Sequence, residues 1–337
     1  MRRLAPGRVL AAVVLVLVAG AAAFAGWYHH ALFGVRTTAE VAVEIPAGAP
    51  VRQILALLHE DGLLPSRVAA RLYLRLHAKG RALRFGHYLF IAGSRPADVL
   101  EKVLDGGVET FTITVPEGSD ASFVGEEFTR LGVGTSEDWD VLVGRTEWLG
   151  TLAPEAPSLE GFFFPDTYRF PVGISAEAAA HHLVDQFLTV WQEVAADSKP
   201  AWGSPLEVVT LASLVEAETS LAEERPLVAG VYLNRLDRGM LLQCDPTVIY
   251  ALKRRGEWRG RLYRVHWEVD DPYNTYRFPG LPPGPINNPG RAAIAAALRP
   301  AESSYLYFVA RPGGGHTFSR TLAEHNRAVA ELRASRR

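Results

Sequence analysis

The chain has 337 residues, a nearly balanced formal charge of −2, and 48% hydrophobic residues. This length predicts two or three folding units, and the apolar content is sufficient for packed cores. The balanced charge argues against a nucleic-acid partner. The single cysteine, Cys244, excludes a disulfide within the chain.

An uncharged apolar run, Val9–Tyr28, follows three arginines among residues 1–8. Its length matches the roughly 20 residues that a bilayer-spanning helix needs. We therefore predict a cytoplasmic tail at 1–8 and a single transmembrane helix at 9–28, with the arginines on the cytoplasmic side and two aromatic residues at the far interface. A cleaved signal peptide is the alternative, because small residues at 21–25 offer cleavage patterns.

The sequence after the apolar run predicts an overall α+β fold, which starts with a short spacer at 29–39. A module at 40–115 begins with a strand of alternating apolar residues, VAVEI. Two amphipathic helices follow, one ending near Gly62 and one reaching His77, and then the strand GHYLFIAG. This β-α-α-β order resembles LysM-like modules, which bind glycan chains. A spacing role is the alternative, because a fold alone does not confer binding.

Residues 116–158 are predicted to form a bridging segment, which is rich in turn residues apart from a short helix around Trp139. A helix at Ser119–Leu131 opens this segment, with Ser119 or Asp120 as its N-cap. The aromatic block LEGFFFPDTYRF follows the bridge. It either lines a cleft or forms a hydrophobic seam between domains, and we favour the seam.

The remaining region, 159–337, is predicted to be a mixed α/β catalytic domain with two carboxylates on one helix. In LEVVTLASLVEAETS the apolar residues recur at helical spacing, so one face should be apolar. Glu218 lies near that stripe, whereas Glu216 points away from its centre. A carboxyl group held against apolar neighbours has a raised pKa and can donate a proton near neutral pH. The alternative is an acid at a helix end that faces water or pairs with Arg225.

Other polar residues of this region are candidates for substrate binding. They are Glu216, Asn234, Gln243, Asp245, Tyr273, Asn274, Tyr276 and His316. The tyrosines and Asn274 belong to a Pro- and Gly-rich loop, and tyrosine offers the flat apolar faces that pyranose rings favour. Asn234 and Gln243 either orient sugar groups or satisfy loop backbone.

For Asp245 we favour a role as cap of the following helix over direct catalysis. Cys244 is expected to be a small packed residue, because no activating histidine is near it in sequence. His316 either makes structural hydrogen bonds or contacts substrate. The sequence has no second or third metal-ligating residue at a suitable spacing from His316, so we expect neither a metal site nor a cofactor.

Five blocks of the sequence resemble, in order and spacing, the MltG (YceG-like) family of endolytic murein transglycosylases. They are LASLVEAET, VYLNRL, GMLLQCDPTVIY, DPYNTYRFPGLPPGPINNPG and YLYFVARPGGGHTFSRTLAEHN. The resemblance covers nearly the whole chain after the apolar run. It implies a single-pass protein of the bacterial plasma membrane, with its catalytic domain outside the cytoplasm. It also implies that Glu218, the second Glu of the ExET block, is the catalytic acid.

The reaction implied by this resemblance is cleavage of the MurNAc-β-1,4-GlcNAc bond of nascent peptidoglycan strands without water, leaving 1,6-anhydroMurNAc ends. The resemblance further implies a role in terminating strand elongation, beside penicillin-binding proteins and the elongation machinery. Two alternatives stay open. A hydrolytic muramidase would need a second carboxylate such as Asp245, because Glu216 and Glu218 diverge by roughly 160–200° around a helix. A glycan-binding membrane scaffold for cell-wall synthases would need no catalytic acid.

Overall fold

The computed structural model describes residues 6–106, 109–196 and 202–335, which fold as mixed α and β structure in two compact units. The first unit runs to Phe111 and includes Arg169–Gly173, and the second comprises Thr112–Tyr168 and the chain from Ile174 onward. Residues 116–158 therefore belong to the second unit. This differs from the separate bridging segment predicted from the sequence.

The first unit contains four α-helices and an antiparallel pair of strands in its described residues. They are α1 (Pro6–His29), a π-helix (His30–Gly34), β1 (Val41–Ile45), α2 (Val51–Glu60), α3 (Arg67–His77), β2 (Gly86–Phe90) and α4 (Pro96–Asp105). The register places Val41 opposite Phe90 and Ile45 opposite Gly86. The predicted β-α-α-β order is thus observed. Ser66 caps α3 by accepting a hydrogen bond from the Ala69 N–H, which satisfies a backbone donor at the helix start.

The N-terminal helix continues directly into the core of the first unit. Residues 13–34 form the one stretch of the described chain that is long and apolar enough to cross a membrane. The π-helix that ends this stretch packs against α3 and α4. It buries Ala31 and Leu32, which are 6% and 1% exposed. Within the spacer predicted at 29–39, Ala31 and Leu32 are therefore core residues of this unit.

The second unit is predominantly helical. Its helices are α5 (Ala121–Arg130), α6 (Ser136–Val143), α7 (Ala176–Ala195), α8 (Pro205–Glu218), α9 (Arg225–Asp237), α10 (Asp245–Arg254), α11 (Arg291–Leu298) and α12 (Leu322–Ser335), with 3-10 turns at Thr146–Leu149 and Arg264–Glu268. Strands β3 (Thr110–Thr114) and β4 (Thr167–Pro171) pair with each other, and the boundary between the units falls within both. Strands β5 (Tyr307–Ala310) and β6 (His316–Ser319) form an antiparallel pair.

Helix α8 lies at the centre of the second unit. Its start follows from the sequence, because Ser204 and Glu207 form a capping box and Pro205 occupies the first turn. Every residue from Val208 to Val215 is buried, and α9, α10 and α11 all pack against the helix. The prediction of a single apolar face is therefore wrong for the middle of the helix, which is enclosed on all sides. The first and last turns of the helix are partly exposed, and Glu218 lies at the end of the last turn.

The aromatic block after residue 158 is core. Phe162 and Phe163 are fully buried within the second unit. Phe162 packs edge-on against Phe187, and Trp139 packs edge-on against Phe163. The preferred prediction of a seam between domains is therefore wrong for these phenylalanines, and so is the alternative of a cleft lining. Their rings fill the interior of one unit, to which Trp139 of the predicted bridge also contributes.

Candidate active site

Glu218 is the last residue of α8, and two neighbouring elements converge on its carboxyl group. The Tyr232 hydroxyl of α9 donates a hydrogen bond to Oε1 at 2.8 Å, and the Cys244 thiol before α10 donates to the same oxygen at 3.3 Å. Tyr232 and Cys244 are 2% and 1% exposed, whereas Glu218 keeps partial contact with solvent. The site thus holds one carboxyl group against buried donors and leaves it accessible on one side.

Burial raises the pKa of Glu218 above its usual value, and the nearby negative charge of Asp245 raises it further. The hydrogen bonds from Tyr232 and Cys244 and the charge of His316 oppose this rise. The net effect favours a neutral acid at a pH where an exposed glutamate is ionised. Burial among residues of the neighbouring elements is the main cause of this shift, and its direction is the one expected from the sequence.

Both hydrogen bonds end on Oε1. An oxygen that accepts two hydrogen bonds is disfavoured as the site of the acidic proton. The proton of the neutral acid therefore belongs on Oε2. After that proton leaves, Tyr232 and Cys244 stabilise the negative charge that remains. The arrangement suits a group that first donates a proton and then accepts one.

Glu216 makes a separate set of contacts. Its Oε1 lies 2.9 Å from the Arg225 guanidinium, and its Oε2 accepts the Gly290 N–H at 3.0 Å. Arg225 therefore pairs with Glu216 and not with Glu218, so this part of the alternative predicted for Glu218 is wrong. The predicted divergence of the two glutamates is observed. Because the Glu216 side chain is 6% exposed and bound internally, its assignment to substrate binding is corrected to a structural role.

Asp245 is exposed and accepts a hydrogen bond from the Tyr276 hydroxyl at 2.6 Å. The predicted capping role is wrong, because α10 begins at Asp245 itself and its N-cap is Cys244. Tyr276 is partly exposed and stacks on Trp267. These two candidates, Asp245 and Tyr276, therefore lie together near Glu218. The charge of Asp245 is close enough to raise the pKa of Glu218.

Three other candidates are used internally. The Asn274 amide is fully buried and donates to the Trp267 and Val269 carbonyls. Tyr273 is 5% exposed and packs against Tyr250. The Asn234 amide donates to two carbonyls in the segment 303–305. These contacts favour internal roles for Asn274 and Tyr273, whereas Asn234 is partly exposed, and substrate binding by these residues stays a prediction.

Gln243 and His316 have different environments. Gln243 is exposed, and its backbone adopts a φ of 52°, a left-handed conformation that few residues other than glycine adopt. His316 lies with Nδ1 2.7 Å from Glu224, whose carboxylate also accepts the His316 backbone N–H at 2.8 Å. Burial alone would raise the pKa of Glu224, but the contacts with His316 lower it overall. The structure therefore supports the structural interpretation of His316.

Three residues of this site were not identified from the sequence as contacts. They are Tyr232 and Cys244, which contact Glu218, and Glu224, which contacts His316. The Cys244 thiol was expected to be only a packed group, and its contact with Glu218 joins residues 26 positions apart. Burial raises the pKa of this thiol well above its usual value, so it acts here as a neutral donor. Within the described residues, His, Cys, Asp and Glu side chains form no group of three suited to a metal ion.

Comparisons with known proteins place this site in context. The model of the YceG-like family matches residues 43–331. An endolytic murein transglycosylase of Bacillus subtilis (strain 168) is 31% identical over 312 residues, which cover 88% of this chain and 86% of that protein. One from Streptococcus pneumoniae serotype 2 (strain D39) is 27% identical, and the match covers 86% of this chain and 58% of that protein. A crystal structure of a YceG-like protein from Listeria monocytogenes superposes with a TM-score of 0.56 at 29% identity, covering 86% of this chain and 98% of the other.

Proposed function

The chain belongs to the YceG-like family, and from this premise we propose that it is a lytic transglycosylase, a lyase that acts on the glycan strands of peptidoglycan. The bond cleaved is the β-1,4 bond from MurNAc to GlcNAc within nascent strands, and the product carries a 1,6-anhydroMurNAc end. Glu218 is the catalytic acid. The observation that carries this proposal is a single accessible carboxyl group with a raised pKa and two buried donors on one oxygen.

One carboxyl group serves the two proton transfers of this reaction. Glu218 Oε2 donates its proton to the glycosidic oxygen, and the bond from that oxygen to the anomeric carbon breaks. The resulting carboxylate then accepts the proton of the muramic acid C6 hydroxyl, whose oxygen forms the new bond to the anomeric carbon. Tyr232 and Cys244 stabilise the carboxylate between the two transfers. The reaction consumes no water, so it does not require the second placed carboxylate of most glycoside hydrolases.

Product chemistry tests this proposal directly. The full chain in detergent micelles would be incubated with peptidoglycan in H₂¹⁸O, and the fragments analysed by mass spectrometry. We expect anhydro ends, lighter by one water than reducing ends and free of ¹⁸O. Reducing ends that carry ¹⁸O would favour the hydrolytic alternative and direct attention to Asp245. Binding of the glycan without cleavage would favour the scaffold.

Two substitutions should move the pH dependence of the reaction in opposite directions. Tyr232→Phe removes a hydrogen bond that stabilises the Glu218 carboxylate, so the pKa of Glu218 should rise further and activity should persist to higher pH. Asp245→Asn removes a negative charge that destabilises this carboxylate, so the pKa of Glu218 should fall. The decline of activity on the alkaline side should then begin at a lower pH than in the wild type. Rate profiles of kcat against pH measure both shifts. An alkaline limb that neither variant moves would show that Glu218 is not the titrating acid.

The domain assignments and the cellular setting complete the proposal. The module at 40–115 is proposed to be LysM-like and to hold glycan, and the catalytic domain at 159–337 includes in addition the α5 and α6 segment of the same unit. The helix at residues 13–34 is proposed to anchor the protein in the bacterial plasma membrane with its N-terminus in the cytoplasm. Strand termination beside penicillin-binding proteins and the elongation machinery is the proposed biological role.

A further inference from the structure

The second unit contains a second cleft, of about 830 Å³, which Glu218, Tyr232 and Cys244 do not line. Helices α5 and α6 form one wall. The C-terminal half of α10 and the loop that follows it form the other wall. The mechanism described above makes no use of this cleft.

The two walls carry opposite charges. Exposed Glu126 and Asp140 lie on the α5 and α6 wall, and exposed Arg254 and Arg259 lie on the α10 wall. The Arg254 guanidinium is held over the Tyr273 ring at 4.8 Å, a cation–π contact that leaves its edge available for hydrogen bonds. A ligand that fits between these walls should carry a positive group at one end and a negative group at the other.

The floor of the cleft contains the buried Glu160 carboxyl group and aromatic rings, and an ion pair of Lys253 with Asp120, 2.6 Å apart, joins its two walls. Glu160 is 4% exposed and accepts hydrogen bonds from the Ala121 N–H at 3.0 Å and the Tyr250 hydroxyl at 3.2 Å. Burial raises the pKa of Glu160 to about 8, which favours the neutral carboxyl group near pH 7. Trp258 adds a partly exposed ring to the lining. Flat rings and a neutral carboxyl group suit the uncharged amide groups of a peptide.

We propose that this cleft binds a short peptide that carries both a free amine and a carboxylate, namely the peptide borne by the glycan strand that the enzyme cleaves. This inference rests on the proposed function. An uncharged sugar chain could form hydrogen bonds but no ion pairs with the two walls, whereas the peptides attached to peptidoglycan carry amines and carboxylates that could pair with both. Charge complementarity therefore favours the peptide over a further stretch of glycan.

The distance between the two sites is compatible with one substrate reaching both. Helix α10 starts at Asp245, beside the Glu218 site, and lines the cleft between Tyr250 and Arg254. The farthest of these positions lies about 14 Å from Asp245 along the helix axis. An extended peptide of five residues spans up to roughly 17 Å. A peptide attached to the sugar at the Glu218 site is therefore long enough to enter the cleft.

Calorimetric titration of the full chain in detergent micelles tests the site, with the Glu218→Gln variant used to prevent turnover. The probe is an N-acetylated pentapeptide with one lysine and a free terminal carboxylate. We expect the pair Arg254→Gln and Arg259→Gln, and separately the pair Glu126→Gln and Asp140→Asn, to weaken binding about tenfold or more. The matched control is the pair Arg333→Gln and Glu331→Gln on exposed positions of α12, which should leave binding unchanged.

Several outcomes would overturn the proposal. They are the absence of peptide binding, binding by both wall variants that is as tight as that of the protein without these substitutions, and displacement of the peptide by uncharged chitotetraose. Failure of the peptide site can be distinguished from failure of the proposed function. Formation of anhydro ends at equal rates from peptide-bearing and peptide-free glycan would refute the peptide site and leave the transglycosylase intact. Peptide binding without anhydro products would support the peptide site and refute the transglycosylase.

Discussion

Glu218→Gln is expected to lower the rate of glycan cleavage by about 10²–10⁴-fold, the usual contribution of a positioned general acid and base. The amide has the shape of the neutral acid, and its carbonyl oxygen can still accept the Tyr232 and Cys244 hydrogen bonds. It cannot release a proton to the glycosidic oxygen. The fold should therefore be preserved while both proton transfers are lost. Release of anhydro-ended fragments, followed over time by mass spectrometry, measures the effect.

The matched control for this variant is Glu223→Gln, which makes the same chemical change on an exposed residue of the loop after α8. It should retain the wild-type rate. Equal melting temperatures for both variants would show that the loss in Glu218→Gln is chemical. Retention of activity in Glu218→Gln within a factor of a few would remove Glu218 from the mechanism.

The second large effect is expected at the buried ion pair of Glu216 and Arg225. Arg225→Met should destabilise the protein by about 3–5 kcal/mol, because it leaves the 6% exposed Glu216 carboxylate without its cation. Glu117, whose carboxylate lies 3.7 Å from Arg225, loses the same partner. A loss of this size lowers the Tm by roughly 6–20 °C. Thermal unfolding of the full chain measures it.

A double-mutant cycle separates the pair from its surroundings. Glu216→Gln keeps an acceptor for the Gly290 N–H and removes the charge, so the double variant with Arg225→Met should recover part of the lost stability. The control is the exposed pair of Arg255 and Glu257, at 2.9 Å, whose disruption should leave the Tm nearly unchanged. Strictly additive effects of the two core substitutions would show that the pair is not coupled.

Local sequence patterns predicted the elements that position the acid. The apolar spacing in LEVVTLASLVEAETS predicted the helix observed as α8, which ends at Glu218, and the capping box at Ser204 is a further local pattern that marks its start. These signals are local, because caps and helical periods depend on residues a few positions apart. The N-cap at Asp120 and the short helix around Trp139 were predictable for the same reason.

The surroundings of Glu218 were less predictable, because they depend on contacts distant in sequence. Asn274 and Asn234 were as consistent with sugar binding as with backbone satisfaction, since a sequence does not show which loop carbonyls are buried without partners. The Cys244 thiol reached Glu218 only through the packing of α10 against α8. The enclosure of the middle of α8 on all sides likewise could not be predicted without the positions of the neighbouring helices.

The packing of Leu32 into the first unit has a mechanical consequence. A flexible tether of six residues would let a module wander by roughly 13 Å relative to its anchor. Here the helix that would cross the bilayer ends in buried core residues, so the connection between helix and module is rigid. A tilt or rotation of the helix therefore moves the module with it. With that helix in a membrane, the module's height above the lipid is fixed when the chain folds. If the module holds glycan as proposed above, it can do so only within about 30 Å of the lipid surface, roughly the diameter of a small domain.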